Sequence, residues 1–334
     1  MKRLIIVFLV MAGLVSCNGG KSFKVNVNLE NSNDKTVYLQ RYDGEVMKKM
    51  DSVVAKNNTA VFKVKKSDNI DALHIMIDGW RRPLTFFADN QDVIIDGDYQ
   101  KFGGIEVKAS ENQKKLDDFM TEAGKIDSED ELYMFAMGFV KDNIEHPMSV
   151  YAMNRYKWAF PLADLKQLYG DMANVKSGYK NLVIKYIKGL EITSPGSPYI
   201  DFTQKDINGN DFKMSSVIGK SKIIILDFWA SWCPDCRKEN PNLVAVYNDF
   251  KDKGLDIVSV SLDTDEAAWK KGIEDDNLTW KNHVSDLKGW GNSVAEMYTI
   301  AFIPQNFILD ENGKILEKNL TGDKLRDFIE ASLR

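Results

Sequence analysis

Cys233 and Cys236 lie two residues apart in Trp232-Cys233-Pro234-Asp235-Cys236. At a helix start, that spacing lets two sulfurs close a small disulfide ring and reopen it, which makes the pair a redox couple. An apolar run, Ile223 to Trp229, precedes the pair and predicts a buried parallel strand. A thiolate is the attacking species, and a helix N-terminus offers free N–H groups and a positive dipole end to stabilise it. Cys233 falls at that terminus and is expected to attack. Cys236, a turn further in, is expected to resolve the mixed disulfide. A purely structural bridge across so short a loop would add little entropic stabilisation. Half a zinc site has the same spacing, but the chain has no second cysteine pair and no His-x-x-x-His. His74, His146 and His283 fall in separate segments. Neither a metal nor a bound cofactor is expected.

The remaining cysteine, Cys17, has a different setting. Lys2 and Arg3 precede an apolar stretch from Leu4 to Val15, which ends in Leu14-Val15-Ser16-Cys17. A basic start, a short apolar core and small residues describe an export signal, too short for a spanning helix. The ending resembles the lipobox of bacterial lipoproteins. That resemblance implies cleavage after residue 16, a lipidated Cys17 and a tether over 17–21. An acylated terminus anchors a protein to membrane at roughly 0.8 kcal/mol per buried CH₂. Two cysteines then remain, too few for a disulfide framework, so stability must come from apolar cores. At 334 residues, two or three domains are expected. A net charge of −5 with no basic cluster argues against a nucleic-acid role.

These residues are positioned by three kinds of structure. From 22 to 109 the pattern is β. Phe23, Val25, Val27 and Leu29 alternate with polar residues, and short apolar runs follow at 37–39, 60–64, 73–77, 84–87 and 93–95. An antiparallel β-sandwich is expected. From 110 to 192 the apolar period becomes helical, with capping-box spacing at Ser110/Gln113 and Ser128/Glu131. Breaks are expected at His146-Pro147 and Phe160-Pro161. Ser194-Pro195-Gly196-Ser197-Pro198 reads as a linker spanning 193–198. From 199 to 334 strands alternate with helices and end in a hairpin and a helix, which predicts a mixed sheet covered on both faces. Pro241 is expected to kink the helix that follows the cysteines.

The segment Asp227-Phe228-Trp229-Ala230-Ser231-Trp232-Cys233-Pro234-Asp235-Cys236, with Glu239, Pro241 and the distant Ile303-Pro304, resembles the thioredoxin superfamily. Its nearest branch is the TlpA/ResA-like, envelope-anchored thiol–disulfide oxidoreductases used in cytochrome maturation and related reductions. The β region resembles, in layout only, the domain often found ahead of such modules in Bacteroides-group lipoproteins. The resemblance implies an α/β thioredoxin-like domain in which Cys233 attacks, Cys236 resolves and Pro304 is cis beside the disulfide. It also implies that Asp227 moves the proton of the resolving cysteine and that Glu239 raises the thiol pKa. Trp232, Pro234, Asp235, Ile303 and Pro304 would contact substrate, with Trp232 as an exposed platform and the Ile303 backbone pairing with an extended chain.

Asp235 places a carboxylate inside the ring, where it would disfavour the Cys233 thiolate and make the dithiol a better reductant. The expected partners are protein disulfides and a membrane thiol reductant, on the periplasmic side of a bacterial envelope. The rivals are a copper chaperone on the same fold and an envelope binding protein with a secondary redox domain. A peroxidase would need Thr-x-x-Cys, which Ser231-Trp232-Cys233 does not provide.

Overall fold

The computed structural model describes residues 21–334. The export signal, Cys17 and nearly all of the tether lie outside the described residues. Phe23, Val25, Val27 and Leu29 point inward from β1 (Ser22–Glu30), as their alternation requires. There follow β2 (Thr36–Tyr42), β3 (Met47–Val54), β4 (Thr59–Lys65), β5 (Leu73–Ile77), β6 (Leu84–Phe86), β7 (Val93–Asp98) and β8 (Glu106–Lys108). They form two four-stranded sheets, ordered β4-β1-β7-β8 and β3-β2-β5-β6. Val25, Val27 and Leu29 of the first sheet share one core with Val37, Leu39, Ile75 and Ile77 of the second.

The sandwich departs from the expected antiparallel arrangement at one pair. β1 and β7 run parallel, with Val25 opposite Val93. A parallel pair needs a long crossover, and strands β2 to β6 provide it. The sequence does not announce β3, because it is an exposed edge strand with almost no buried side chain to mark its period.

Helices α1 (Glu111–Ala123), α2 (Glu129–Asp142), α3 (Pro147–Tyr156), α4 (Leu162–Asp171) and α5 (Tyr179–Ile192) follow. Ser110 caps α1 by accepting from the Gln113 N–H at 3.1 Å. The Gln113 side chain does not complete a capping box. Its Oε1 accepts from the Phe87 N–H at 2.7 Å and so satisfies a buried donor elsewhere.

Two compact units divide these helices. One holds the strands with α1, Glu145–Tyr151 and Asn174–Gly178. The other holds Asp127–Ile144, Ala152–Ala173 and Tyr179–Arg334. In the first unit the buried Asp71 carboxylate accepts from Ser177 Oγ and the Gly178 N–H, which ties that short segment to the strands.

The second unit continues with β9 (Thr203–Lys205), β10 (Asp211–Lys213), β11 (Ile223–Trp229), α6 (Pro234–Phe250), β12 (Leu255–Ser261), α7 (Glu266–Asp275), β13 (Asn282–Val284), α8 (Ser293–Met297), β14 (Gln305–Asp310), β15 (Ile315–Lys318) and α9 (Gly322–Ser332). Its main sheet is ordered β13-β12-β11-β14-β15. β11 is parallel to β12 and antiparallel to β14. All seven β11 residues are buried, so both sheet faces are covered at this strand.

The stretch 193–198 is not a free linker. The Gly196 N–H donates to the Ile315 carbonyl at 2.7 Å, and the Ile315 N–H donates to the Ser197 carbonyl at 2.8 Å. Its composition marks turns, yet its backbone pairs with β15. No helix among the described residues is long and apolar enough to cross a membrane.

Gly189 of α5 lies where a Cβ would collide with Thr299 Oγ1, so α5 packs against the segment after α8 only because this residue has no side chain. Gly189→Ala is expected to cost about 1–3 kcal/mol through overpacking. Thermal melting checks this; an unchanged Tm would show that Thr299 yields freely.

Candidate active site

The sequence folds locally to place one sulfur at a helix end. β11 runs buried up to Trp229, the chain turns at Ala230 and Ser231, and Cys233 becomes the N-cap of α6. Pro234 occupies the first turn, where its missing N–H leaves no helical bond unmade. The Cys236 N–H donates to Cys233 Sγ at 3.1 Å, and the two cysteines form a disulfide. Cys233 is 4% exposed and Cys236 is fully buried. Trp232, Pro234 and Asp235 around them are exposed.

Two restraints on Ser231, neither expected from the sequence, fix this turn. Its N–H and Oγ donate to the buried Asp263 carboxylate at 3.0 and 2.6 Å. Its carbonyl accepts from the Arg237 guanidinium at 3.1 Å. Arg237 is itself paired with Asp276 at 2.5 Å and Asp275 at 3.7 Å. Asp263 follows β12, the parallel neighbour of β11, and Arg237 lies in α6, so the turn is tied both to the adjacent strand and to the helix it starts. Gly272 of α7 allows close approach here, since a Cβ would meet the Ser231 Cβ at 2.8 Å.

The Ile303–Pro304 peptide bond is cis. Cys233 Sγ lies 3.7 Å from the Ile303 carbonyl oxygen. Trp232 is 51% exposed, with its Nε1 donating to the Leu262 carbonyl at 3.3 Å. Its ring lies 6.3 Å from that of Trp290, also largely exposed, a neighbour that no local sequence signal marks. Trp229 is fully buried and serves as packing. Pro241 lies inside α6, which runs through it to Phe250.

Asp227 sits in β11 between Ser259 of β12 and Asn306 of β14. Ser259 Oγ donates to it at 3.1 Å. Burial pushes its carboxyl up to about 7, against the Ser259 hydrogen bond, and the Glu239 charge pushes in the same direction. Glu239 is therefore close enough to couple to Asp227. Its Oε1 accepts from the Gly322 N–H, at the first residue of α9, at 2.8 Å and from Asn242 Nδ2 at 2.7 Å. The spacing from Cys236 suggests only a shared helix face; the tie to α9 is a long-range feature.

The histidines take up structural positions. His146 Nε2 contacts Asp89 at 3.0 Å, and His283 Nε2 meets the Leu278 carbonyl at 3.1 Å. His74 Nδ1 meets Thr85 Oγ1 at 3.0 Å. Burial holds His74 and His283 down to about 4. Among the described residues no three His, Cys, Asp or Glu side chains gather as a metal site.

Two segments of the chain match known families. Residues 195–318 match the AhpC/TSA family, and residues 23–116 match a domain of unknown function, DUF4369. A thiol-disulfide oxidoreductase ResA from Bacillus cereus is 27% identical over 134 residues, covering 40% of this chain and 73% of that protein. ResA of Geobacillus kaustophilus is 29% identical over 138 residues, covering 41% and 75%. Among solved structures, the thioredoxin domain of a thiol-disulfide oxidoreductase from Bacteroides vulgatus shares 39% identity. That match covers 42% of this chain and 99% of the other, with a TM-score of 0.39. The C-terminal segment is thus a thioredoxin-fold domain of the AhpC/TSA family. Its homologues are ResA-like thiol–disulfide oxidoreductases, and the chain carries a disulfide oxidoreductase domain of that kind.

Asp227 makes the fold sensitive to pH. Its folded value, about 7, lies above its ordinary 3.8. Its contribution to stability is fully present below 3.8 and is lost as pH rises through about 7. Asp227→Asn, which cannot ionise, is therefore expected to raise Tm more at pH 8 than at pH 5. Melting curves at both values check this; an equal or reversed difference would contradict a buried, late-ionising acid.

Proposed function

We propose that this protein reduces protein disulfides at the bacterial cell envelope through Cys233 and Cys236. The observation that carries this reading is the Cys233–Cys236 disulfide at the N-terminus of α6, with Cys233 Sγ beside the cis-Pro304 loop. In the reduced enzyme the Cys233 thiolate attacks one sulfur of a client disulfide. The client S–S bond breaks, a mixed disulfide forms and one client thiolate leaves. Cys236, deprotonated, then attacks Cys233 Sγ, the second client thiolate leaves, and the enzyme holds the disulfide seen here. The client gains two electrons and two protons. A membrane thiol reductant restores the dithiol, because the periplasm is kept oxidising. No bound cofactor enters the cycle.

Asp227, with a carboxyl near pH 7, is suited to taking the Cys236 proton and returning it. Glu239 tunes that exchange through its charge. Trp232 and the Ile303 backbone receive the client chain. Lipidation of Cys17 would hold the module on the membrane, facing the periplasm.

Cys236→Ala removes the resolving thiol. It is expected to accumulate disulfide-linked client adducts that reductant releases, while Cys233→Ala accumulates none. Non-reducing gels of cells expressing each variant check this. No adduct with Cys236→Ala, or equal adducts with both, would defeat the assignment.

Asp235 stands exposed in the first turn of α6. Its charge opposes the Cys233 thiolate, so Asp235→Asn is expected to raise the reduction potential by about 10–30 mV, where 30 mV corresponds to about 1.4 kcal/mol. A potential unchanged or more negative, measured against a glutathione redox series, would remove Asp235 from the account.

A further inference from the structure

A cleft of about 640 Å³ opens beside the cis-proline loop. One wall is Asp235, Phe302, Ile303 and Pro304, from the thioredoxin fold. The facing wall comes from outside that fold: Trp158 after α3, Phe160 before α4, and Tyr186 and Leu190 of α5. The Trp158 ring lies 6.0 Å from the Phe302 ring, edge to face, at the residue immediately before the Ile303–Pro304 bond. Gly189 seated on Thr299 and a Lys185–Glu296 ion pair of 2.6 Å join α5 to the same part of the fold. Trp158 also borders a second cleft, of about 630 Å³, that includes Trp290. It stands between the two openings.

We propose that these helices form one wall of the client groove and that Trp158 selects polypeptides carrying a large apolar or aromatic side chain within two residues of the target cysteine. This rests on the exchange reading above. The client sulfur must reach Cys233 Sγ, and an extended chain advances about 3.3–3.6 Å per residue. The residues next to the client cysteine therefore lie along Ile303 and Pro304 and enter the cleft. Nearest the cis-proline loop the helical side presents the Trp158 ring against Phe302, with Phe160, Tyr186 and Leu190 beside it and Glu129 and Ser194 as its polar members. The Gln305 side chain at the floor is already engaged, since its Nε2 donates to Asn319 Oδ1 at 3.1 Å and its Oε1 accepts from the Ala301 N–H. Burial of an apolar side chain is therefore the gain on offer. Trp158 is a specificity residue and takes no part in the sulfur chemistry.

The test uses pre-reduced full-length protein in single turnover. It compares two peptide disulfides that differ only in having Trp or Ala two residues beyond the cysteine, with 2-hydroxyethyl disulfide as a probe of exchange itself. Peptide thiols released are quantified by chromatography. Wild type is expected to react with the Trp peptide about tenfold faster than with the Ala peptide, the discrimination a modest apolar contact supports. In Trp158→Ala that ratio falls to near one, and Trp158→Phe, which keeps an aromatic ring and guards against misfolding, retains most of it. A wild-type ratio near one, or an undiminished ratio in Trp158→Ala, overturns the proposal while turnover of the small disulfide leaves the exchange reading standing. Failure of wild type to reduce the small disulfide overturns both.

Discussion

At the start of α6 the first backbone N–H groups have no carbonyl partner within the helix. In most helices an oxygen from Ser, Thr, Asp or Asn takes this role. Here it is a sulfur: Cys233 Sγ accepts from the Cys236 N–H. The same contact that finishes the helix gives a thiolate a hydrogen bond and the positive end of the dipole. The rest of the domain keeps that sulfur in place. β11 is buried along its whole length and delivers the chain to the turn. Asp263 and Arg237 hold both sides of the Ser231 residue. The cis Ile303–Pro304 bond places a backbone carbonyl near the sulfur.

Three carboxylates stand around this centre in different surroundings. Asp227 is buried and titrates near neutrality. Glu239 is held by the first N–H of α9 and by Asn242. Asp235 is exposed beside the disulfide. Under the proposed exchange, an ionised Asp235 opposes the helix dipole at the sulfur, whereas burial favours the neutral form of Asp227. Such opposition would leave the thiolate less stable than the dipole alone would make it, which is what the proposed reductase role calls for. The Glu239 charge adds to burial in favouring the neutral form of Asp227 inside the sheet, as the proposed proton relay requires.

Features written in adjacent residues were legible in the sequence. The Cys-x-x-Cys pair, its strand and helix, the Ile303-Pro304 step and the alternating strands β1 and β4 all follow from local period and residue type. Features set by distant partners were not. β3 has no buried face to mark its period, and the parallel pairing of β1 with β7 depends on a crossover. Gln113 has the spacing of a capping box but serves Phe87 instead. Asp263 and Arg237 look like ordinary surface charges until the fold brings both to Ser231. Trp158 lies in a short turn between α3 and α4, and nothing local announces that it borders the cis-proline loop.

The most direct test of the account is the order in which the two cysteines react. In reduced protein treated with limiting iodoacetamide across a pH series, mass spectrometry of peptides reports which sulfur is alkylated. The account predicts that Cys233 is modified first and that Cys236 stays largely protected, as their positions at the cap and inside the helix require. Preferential labelling of Cys236, or no labelling of Cys233 in the folded protein, would contradict it.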